Sequence, residues 1–77
     1  NKANALKMIG SDDASWLMNQ PKNMPYEDRV NRYMDIVDNY NLVSEEGRGG
    51  MRQGLLNMGS DAFDDSTSYF KNIYQGT

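Results

Sequence analysis

Neither cysteine nor histidine occurs in this sequence of 77 residues. Disulfides are therefore excluded, and any metal site would have to be built from oxygen ligands. The absence of both residue types also removes the common pairs in which a histidine activates a serine or a cysteine. We expect a protein that is not an enzyme, with no catalytic residue, no cofactor and no metal.

Long apolar stretches are also missing. No run of about 18 apolar residues occurs, and residues 1–20 contain no basic segment followed by an apolar run. These absences argue against a membrane span and a signal peptide, so we expect a soluble protein whose compartment the composition leaves open. Because the first residue is Asn1, we also expect the sequence to be the ordered part of a longer chain.

Positive charge is scarce. Eight Lys and Arg against eleven Asp and Glu give a net charge of −3. This is the wrong sign for a domain that grips phosphate backbones, and the cations are scattered instead of clustered. We therefore expect no direct contact with nucleic acid.

The apolar content limits how stable the domain is. Apolar residues make up 38% of the chain, and six Met and five Tyr are among them. A chain of this length buries only about 60% of the surface that its unfolded form exposes. Without a disulfide or a metal, we expect it to rely on other protein subunits, on an oligomer or on the rest of a longer chain.

The longest helix is predicted over residues 25–40. Pro25 suits the first helical turn, where its missing N–H costs nothing. Glu27 and Asp28 follow at the positive end of the helix dipole, and Asp28 has Arg32 four residues further on as a predicted partner.

Glycine, serine and proline divide the rest of the chain into shorter segments. A Gly-Ser pair ends one helix and caps the next at Gly10–Ser11 and again at Gly59–Ser60. The predicted fold is all-α: residues 1–77 form a single helical domain, a small bundle of four or five short helices. The remaining helices are predicted over residues 2–9, 12–20, 51–58 and 61–75.

Tyrosines at seven-residue spacing mark the apolar side of the longest helix. Tyr26, Tyr33 and Tyr40, with valines between them, match two heptads of a coiled-coil seam. A serine takes the next seam position, and three or four heptads are normally needed. Burial in the domain's own core is therefore the favoured interpretation, and an intermolecular zipper is the alternative.

Trp16 has the same two interpretations. It is the only tryptophan, on a short predicted helix, where a core anchor or a partner-binding hot spot would make sense. The predicted core comprises Tyr33, Val37, Leu55, Phe63, Phe70 and Trp16. The candidate partner-binding residues are Trp16, Tyr26, Tyr33 and Tyr40.

Five aspartates lie near predicted helix starts. They do not have the spacing of a calcium loop, which needs alternating oxygen ligands around a sharp glycine turn and a distal Glu. The helix dipole accounts for their positions. An alternative role is contact with a basic surface on a partner. The five are Asp12, Asp13, Asp61, Asp64 and Asp65.

The last third of the chain resembles segments of low-copy virion proteins of bacterial viruses. The resemblance is carried by a helix of small residues in Gly54–Gly59, then Phe63, then an aromatic-rich helix and a glycine in Tyr69–Gly76. It contains nothing catalytic. It implies a structural role inside a particle, in the portal, the tail or the DNA-ejection machinery.

These observations lead to two hypotheses for the function. The first is a non-enzymatic structural or protein-interaction module within a larger assembly, with a virus particle as the location that the resemblance implies. The alternative is a small acidic inhibitor or regulator that binds a basic surface of a nucleic-acid enzyme.

We predict that residues 44–50 form a flexible loop and are the first target of limited proteolysis. Three glycines in four positions, Gly47, Gly49 and Gly50, leave this backbone few constraints. A protease of broad specificity should therefore cut there first, as read by mass spectrometry of the early fragments. Cleavage that begins inside residues 28–38 would contradict both the loop and the helix assignment.

Overall fold

The computed structural model describes residues 9–75. These residues form a small all-α bundle without strands, as the sequence predicts. The predicted helix over residues 2–9 lies outside the described residues except for Ile9, which is buried. The five helices are α1 Ser11–Met18, α2 Tyr26–Tyr40, α3 Glu45–Arg48, α4 Met51–Met58 and α5 Ser60–Gln75.

Helix α2 contacts both α4 and α5. It begins directly after Pro25 and ends at Tyr40, as predicted. Asn41 then adopts a left-handed conformation with φ 52°, and its N–H donates to the Val37 carbonyl. Leu42, which follows this turn, is fully buried and packs the end of the helix onto the core.

Helix α1 differs from its prediction at both ends. Gly10 takes the cap position predicted for Ser11, and Ser11 is the first helical residue. A Cβ at Gly10 would lie 3.2 Å from the Tyr40 hydroxyl oxygen, so the close approach of the two helices suits glycine here. The helix stops at Met18, and the Gln20 side chain accepts a hydrogen bond from Arg29 of α2, 2.9 Å away.

The segment 44–50, predicted as a loop, contains the one-turn helix α3. The Ser44 side chain accepts a hydrogen bond from the Gly47 N–H at 3.2 Å, and Glu45 and Glu46 occupy the first turn. The expected lack of regular structure is therefore wrong for residues 45–48. A side-chain cap and two carboxylates at the positive end of the helix dipole are sufficient for a single turn. The mobility of this segment stays a prediction.

Gly59 sets the direction of α5 relative to α4. Its φ of 94° lies in the region that side-chain-bearing residues rarely adopt. Ser60 is consequently the first residue of α5 and not its cap, which corrects the second predicted Gly-Ser junction.

The core is built around the Tyr33 ring. Its centroid lies 5.4 Å from that of Phe63 and 6.3 Å from that of Phe70, so the ring packs against both α5 aromatics. Burial of the predicted core residues Tyr33, Val37, Leu55, Phe63 and Phe70 is confirmed. Trp16 is only partly buried and packs against the edge of this core.

Val37→Asp should unfold the domain, because Val37 is fully buried and the substitution would place an unpaired carboxylate in the core. Asp35→Ala is the matched control on the exposed side of the same helix. Its effect on the free energy of unfolding should not exceed about 0.5 kcal/mol. Urea denaturation followed by circular dichroism measures both. A folded Val37→Asp variant would show that this part of α2 is not core.

Candidate interaction surface

Two of the candidate tyrosines direct their hydroxyls into the bundle. Tyr33 has no exposed surface, and its oxygen lies 2.8 Å from Ser66 Oγ on α5. Tyr26 is partly buried, and its hydroxyl donates to the Leu55 carbonyl of α4 at 2.6 Å. The structure therefore does not support a partner-binding role for Tyr33. The stripe belongs to the core at this position, and Tyr26 serves mainly to hold α4 against α2.

The third tyrosine, Tyr40, belongs to a polar network that ties α1 to α2. Its hydroxyl donates to Asp13 Oδ2 at 2.9 Å and accepts from the Gly10 N–H at 3.0 Å. The other oxygen of Asp13 lies 2.7 Å from the Arg32 guanidinium, which sits over the Trp16 ring at 5.7 Å. We call these five residues the Asp13 network.

Asp13 is the centre of this network. Its side chain is only 19% exposed, so the carboxylate keeps little water and takes its hydrogen bonds from Arg32 and Tyr40. The hydrogen bond from the Tyr40 hydroxyl to this charged group contributes about 1.5–3 kcal/mol. The Arg32 ion pair contributes less, about 1 kcal/mol at most, because the Arg32 side chain is about one-third exposed. The sequence predicts that Arg32 pairs with Asp28 of its own helix. In the structure it pairs instead with Asp13 of α1.

Trp16 combines a partly buried ring with a buried N–H donor. Its Nε1 atom is buried and has no hydrogen-bond partner among residues 9–75. A buried N–H without an acceptor costs about 1–3 kcal/mol, so the ring is held by apolar packing and by the Arg32 cation above it. Its role as a partner-binding residue stays a prediction.

Arg29 makes a second junction at the start of α2. It donates to Gln20, lies 5.1 Å from the Phe63 ring centroid and lies 3.7 Å from Asp64. Asp64 is mostly exposed, so this ion pair adds little stability, about 0–1 kcal/mol. The guanidinium joins the segment after α1 to the first turns of α5.

The predicted acidic residues do not act as one group. Asp13 and Asp64 are bound by Arg32 and Arg29, whereas the other three are exposed and have no ion pair in the described part of the chain. The two remaining arginines pair with Asp38 and Glu27. Seven carboxylates, all exposed, therefore have no ion pair within residues 9–75: Asp12, Asp28, Asp35, Glu45, Glu46, Asp61 and Asp65.

Three large apolar side chains point outward. Met58 at the end of α4, and Tyr69 and Tyr74 on α5, are 67%, 50% and 36% exposed. The Tyr69 ring contacts the buried Phe70 ring edge-to-face, with centroids 5.1 Å apart. Tyr69 is not among the residues predicted to bind a partner. Its position off the seven-residue spacing of the buried Phe63 and Phe70 was a signal for its exposure.

Comparison with protein-family models, with curated proteins and with solved structures finds no match to this chain. Residues 9–75 contain no enclosed cavity and no group of three acidic side chains placed to hold a metal ion. Among the helices described here, none has the length and apolar character needed to cross a bilayer. The surface of the described residues carries exposed carboxylates and the partly exposed rings of Tyr69 and Tyr74.

The free energy of unfolding should fall between about pH 10 and pH 12, in part because of Tyr33. Burial raises the pKa of its phenol from 10.0 to about 12, against the opposing hydrogen bond of Ser66. Above pH 10 the unfolded chain releases this proton while the folded chain keeps it, so the stabilisation present below pH 10 is lost as the pH rises through 12. This one group contributes a slope of about 1.4 kcal/mol per pH unit in that window.

Urea denaturation at a series of pH values measures this slope, and Tyr33→Phe should reduce it by that amount. At pH 7 the same variant reports separately the loss of the Ser66 hydrogen bond, about 1 kcal/mol. An unchanged slope in Tyr33→Phe would show that the phenol is not buried as described.

Proposed function

We propose that this chain is a non-enzymatic structural or protein-interaction module of a larger assembly, and that the outward side of α5 is its contact surface. The observation that carries the proposal is the Tyr69 ring, which is half-exposed and packs edge-to-face against the buried Phe70 ring. Tyrosine supplies a large contact area and a polar tip with few rotatable bonds, which makes it frequent at interfaces.

The position of Tyr69 favours binding because its ring is already ordered. Phe70 is 3% exposed and packs in turn against Tyr33, so a row of ring contacts runs from the centre of the core to the surface. A side chain held in this way loses little conformational entropy when a partner covers it. Tyr74, five residues further along α5 and about 140° further round its axis, is partly exposed as well.

A place inside a virus particle is the specific form of this proposal. It rests on the resemblance of the last third of the chain to low-copy virion proteins. The aromatic-rich segment that carries the resemblance is the second half of α5, which also carries the exposed rings. In this proposal, the partners are other protein subunits of the particle or the rest of a longer chain.

The second candidate function is an acidic inhibitor or regulator of a nucleic-acid enzyme. It is supported by the seven exposed carboxylates that have no ion pair among the described residues. Such a surface attracts a basic partner at long range and loses that attraction as salt is added.

A photo-cross-linking amino acid at position 69 tests the first proposal. Introduced into the chain in its native source, it should cross-link to one protein, whereas the same group at Asp35, exposed on α2, should not. The association should persist from about 0.1 M to 1 M salt, because apolar burial is not screened. Tyr69→Ala should weaken it at least about tenfold, the effect of losing a central aromatic contact.

Two outcomes would contradict this assignment. Equal cross-linking from positions 69 and 35 would show that α5 is not the contact surface. Association that is lost at high salt, and in a variant with Asp61→Asn and Asp65→Asn but not in Tyr69→Ala, would favour the acidic regulator.

A further inference from the structure

We propose that Met58 is a site of reversible oxidation by peroxides, and that its sulfoxide forms without unfolding the bundle. The inference concerns the thioether at the end of α4 and does not rest on the function proposed above. It follows from the exposure of this side chain and from the residues on the helical turn before it.

Met58 is exposed because the preceding turn of α4 offers no side chain to cover it. A helical side chain points back towards the residues three and four positions before it. For Met58 these are Leu55, which is buried in the core, and Gly54, which has no side chain. A Cβ added at Gly54 would lie 3.7 Å from Met58 Cε, so the methyl end of the thioether lies beside an uncovered backbone. The Met58 side chain is consequently 67% exposed.

The other methionines of the described chain are better protected. Met34 on α2 is only 7% exposed and packs in the core. Met18, Met24 and Met51 are partly buried. Because oxidation requires contact between the oxidant and the thioether, the most exposed methionine of residues 9–75 is the one that reacts first, and this is Met58.

The reaction transfers one oxygen atom from the peroxide to the sulfur. A lone pair on the sulfur attacks one oxygen of hydrogen peroxide, the S–O bond forms and the O–O bond breaks. The departing hydroxide takes the proton of the transferred oxygen and leaves as water. The sulfur loses two electrons, and the peroxide gains them. The product is a sulfoxide, which methionine sulfoxide reductases convert back to the thioether.

An oxygen added to Met58 changes the surface and not the core. Sulfoxide formation turns a flexible apolar side chain into a polar, chiral one. At Met58 the new polar group forms on a side chain that is already in water, so it is not buried without a partner. At Met34 the same oxygen would lie in the core, so oxidation there requires the bundle to open.

Trypsin digestion places Met58 and Met34 on separate peptides. The full 77-residue chain is exposed to dilute hydrogen peroxide, quenched with free methionine and cleaved after Lys and Arg. Residues 53–71 then contain Met58 as their only methionine, and residues 33–48 contain Met34 as theirs. We expect residues 53–71 to gain oxygen at least about tenfold faster, because Met34 reacts only when the bundle opens.

Several outcomes of this experiment would overturn the proposal. Equal oxidation rates for the Met58 and Met34 peptides would do so, as would earlier oxidation of residues 23–29 or 49–52, each of which contains one partly buried methionine. The chain oxidised at Met58 should keep its urea midpoint, read by circular dichroism, and a methionine sulfoxide reductase should remove the added oxygen. A midpoint that falls in step with oxidation of Met58 would contradict the unchanged core.

Gly54→Leu tests the cause of the exposure. The leucine adds a side chain beside the thioether, with its Cβ at an ordinary contact distance, and should slow oxidation of Met58 about twofold or more. Gln53→Leu is the matched control, because Gln53 is exposed and its side chain donates to Asn57. It should leave the oxidation rate of Met58 unchanged. Equal rates in the two variants, both folded by circular dichroism, would overturn the role assigned to Gly54.

Discussion

Burying the phenol of Tyr33 constrains how the helices of this small bundle meet. A buried hydroxyl without a partner would cost about 1–3 kcal/mol, and Ser66 of α5 removes that cost. Because Ser66 lies between Phe63 and Phe70 in sequence, the hydroxyl and both ring contacts of Tyr33 fix the rotation of α5 against α2. Tyr26 extends the arrangement, with its ring against Phe63 and its hydroxyl on the Leu55 carbonyl of α4.

The position of α2 and most of the core could be predicted from the sequence, since Pro25 marks the start of the helix and the apolar stripe marks its inner face. Pairings between distant residues could not. Arg32 has an acidic residue four positions before it, yet it binds Asp13, 19 positions away, because the fold places α1 on that side of α2. The periodicity of the apolar residues likewise indicated which face of α2 carries Tyr40, but not how far its side chain is buried. The single helical turn capped by Ser44 was not predicted because glycines surround it.

The polar side chains divide the molecule into two parts with different roles. The four arginines all form ion pairs, two of them at the junctions of α1 and α5 with α2, so the described positive charge mainly joins helices. Each of these ion pairs also neutralises one carboxylate, so they leave the net charge of −3 unchanged. Tyr69 and Tyr74 on α5 leave part of their rings exposed on the outer surface.

The position of Trp16 determines what an optical experiment on this protein observes. Tryptophan emission comes from this one side chain, on a helix of eight residues beneath the Arg32 guanidinium. Far-ultraviolet ellipticity comes mainly from α2 and α5, with 15 and 16 residues. The two signals therefore follow different parts of the molecule. Their melting curves coincide only when α1 and the rest of the bundle unfold as one cooperative unit. Where the curves differ, emission reports the stability of α1 and its contacts and not that of the whole bundle.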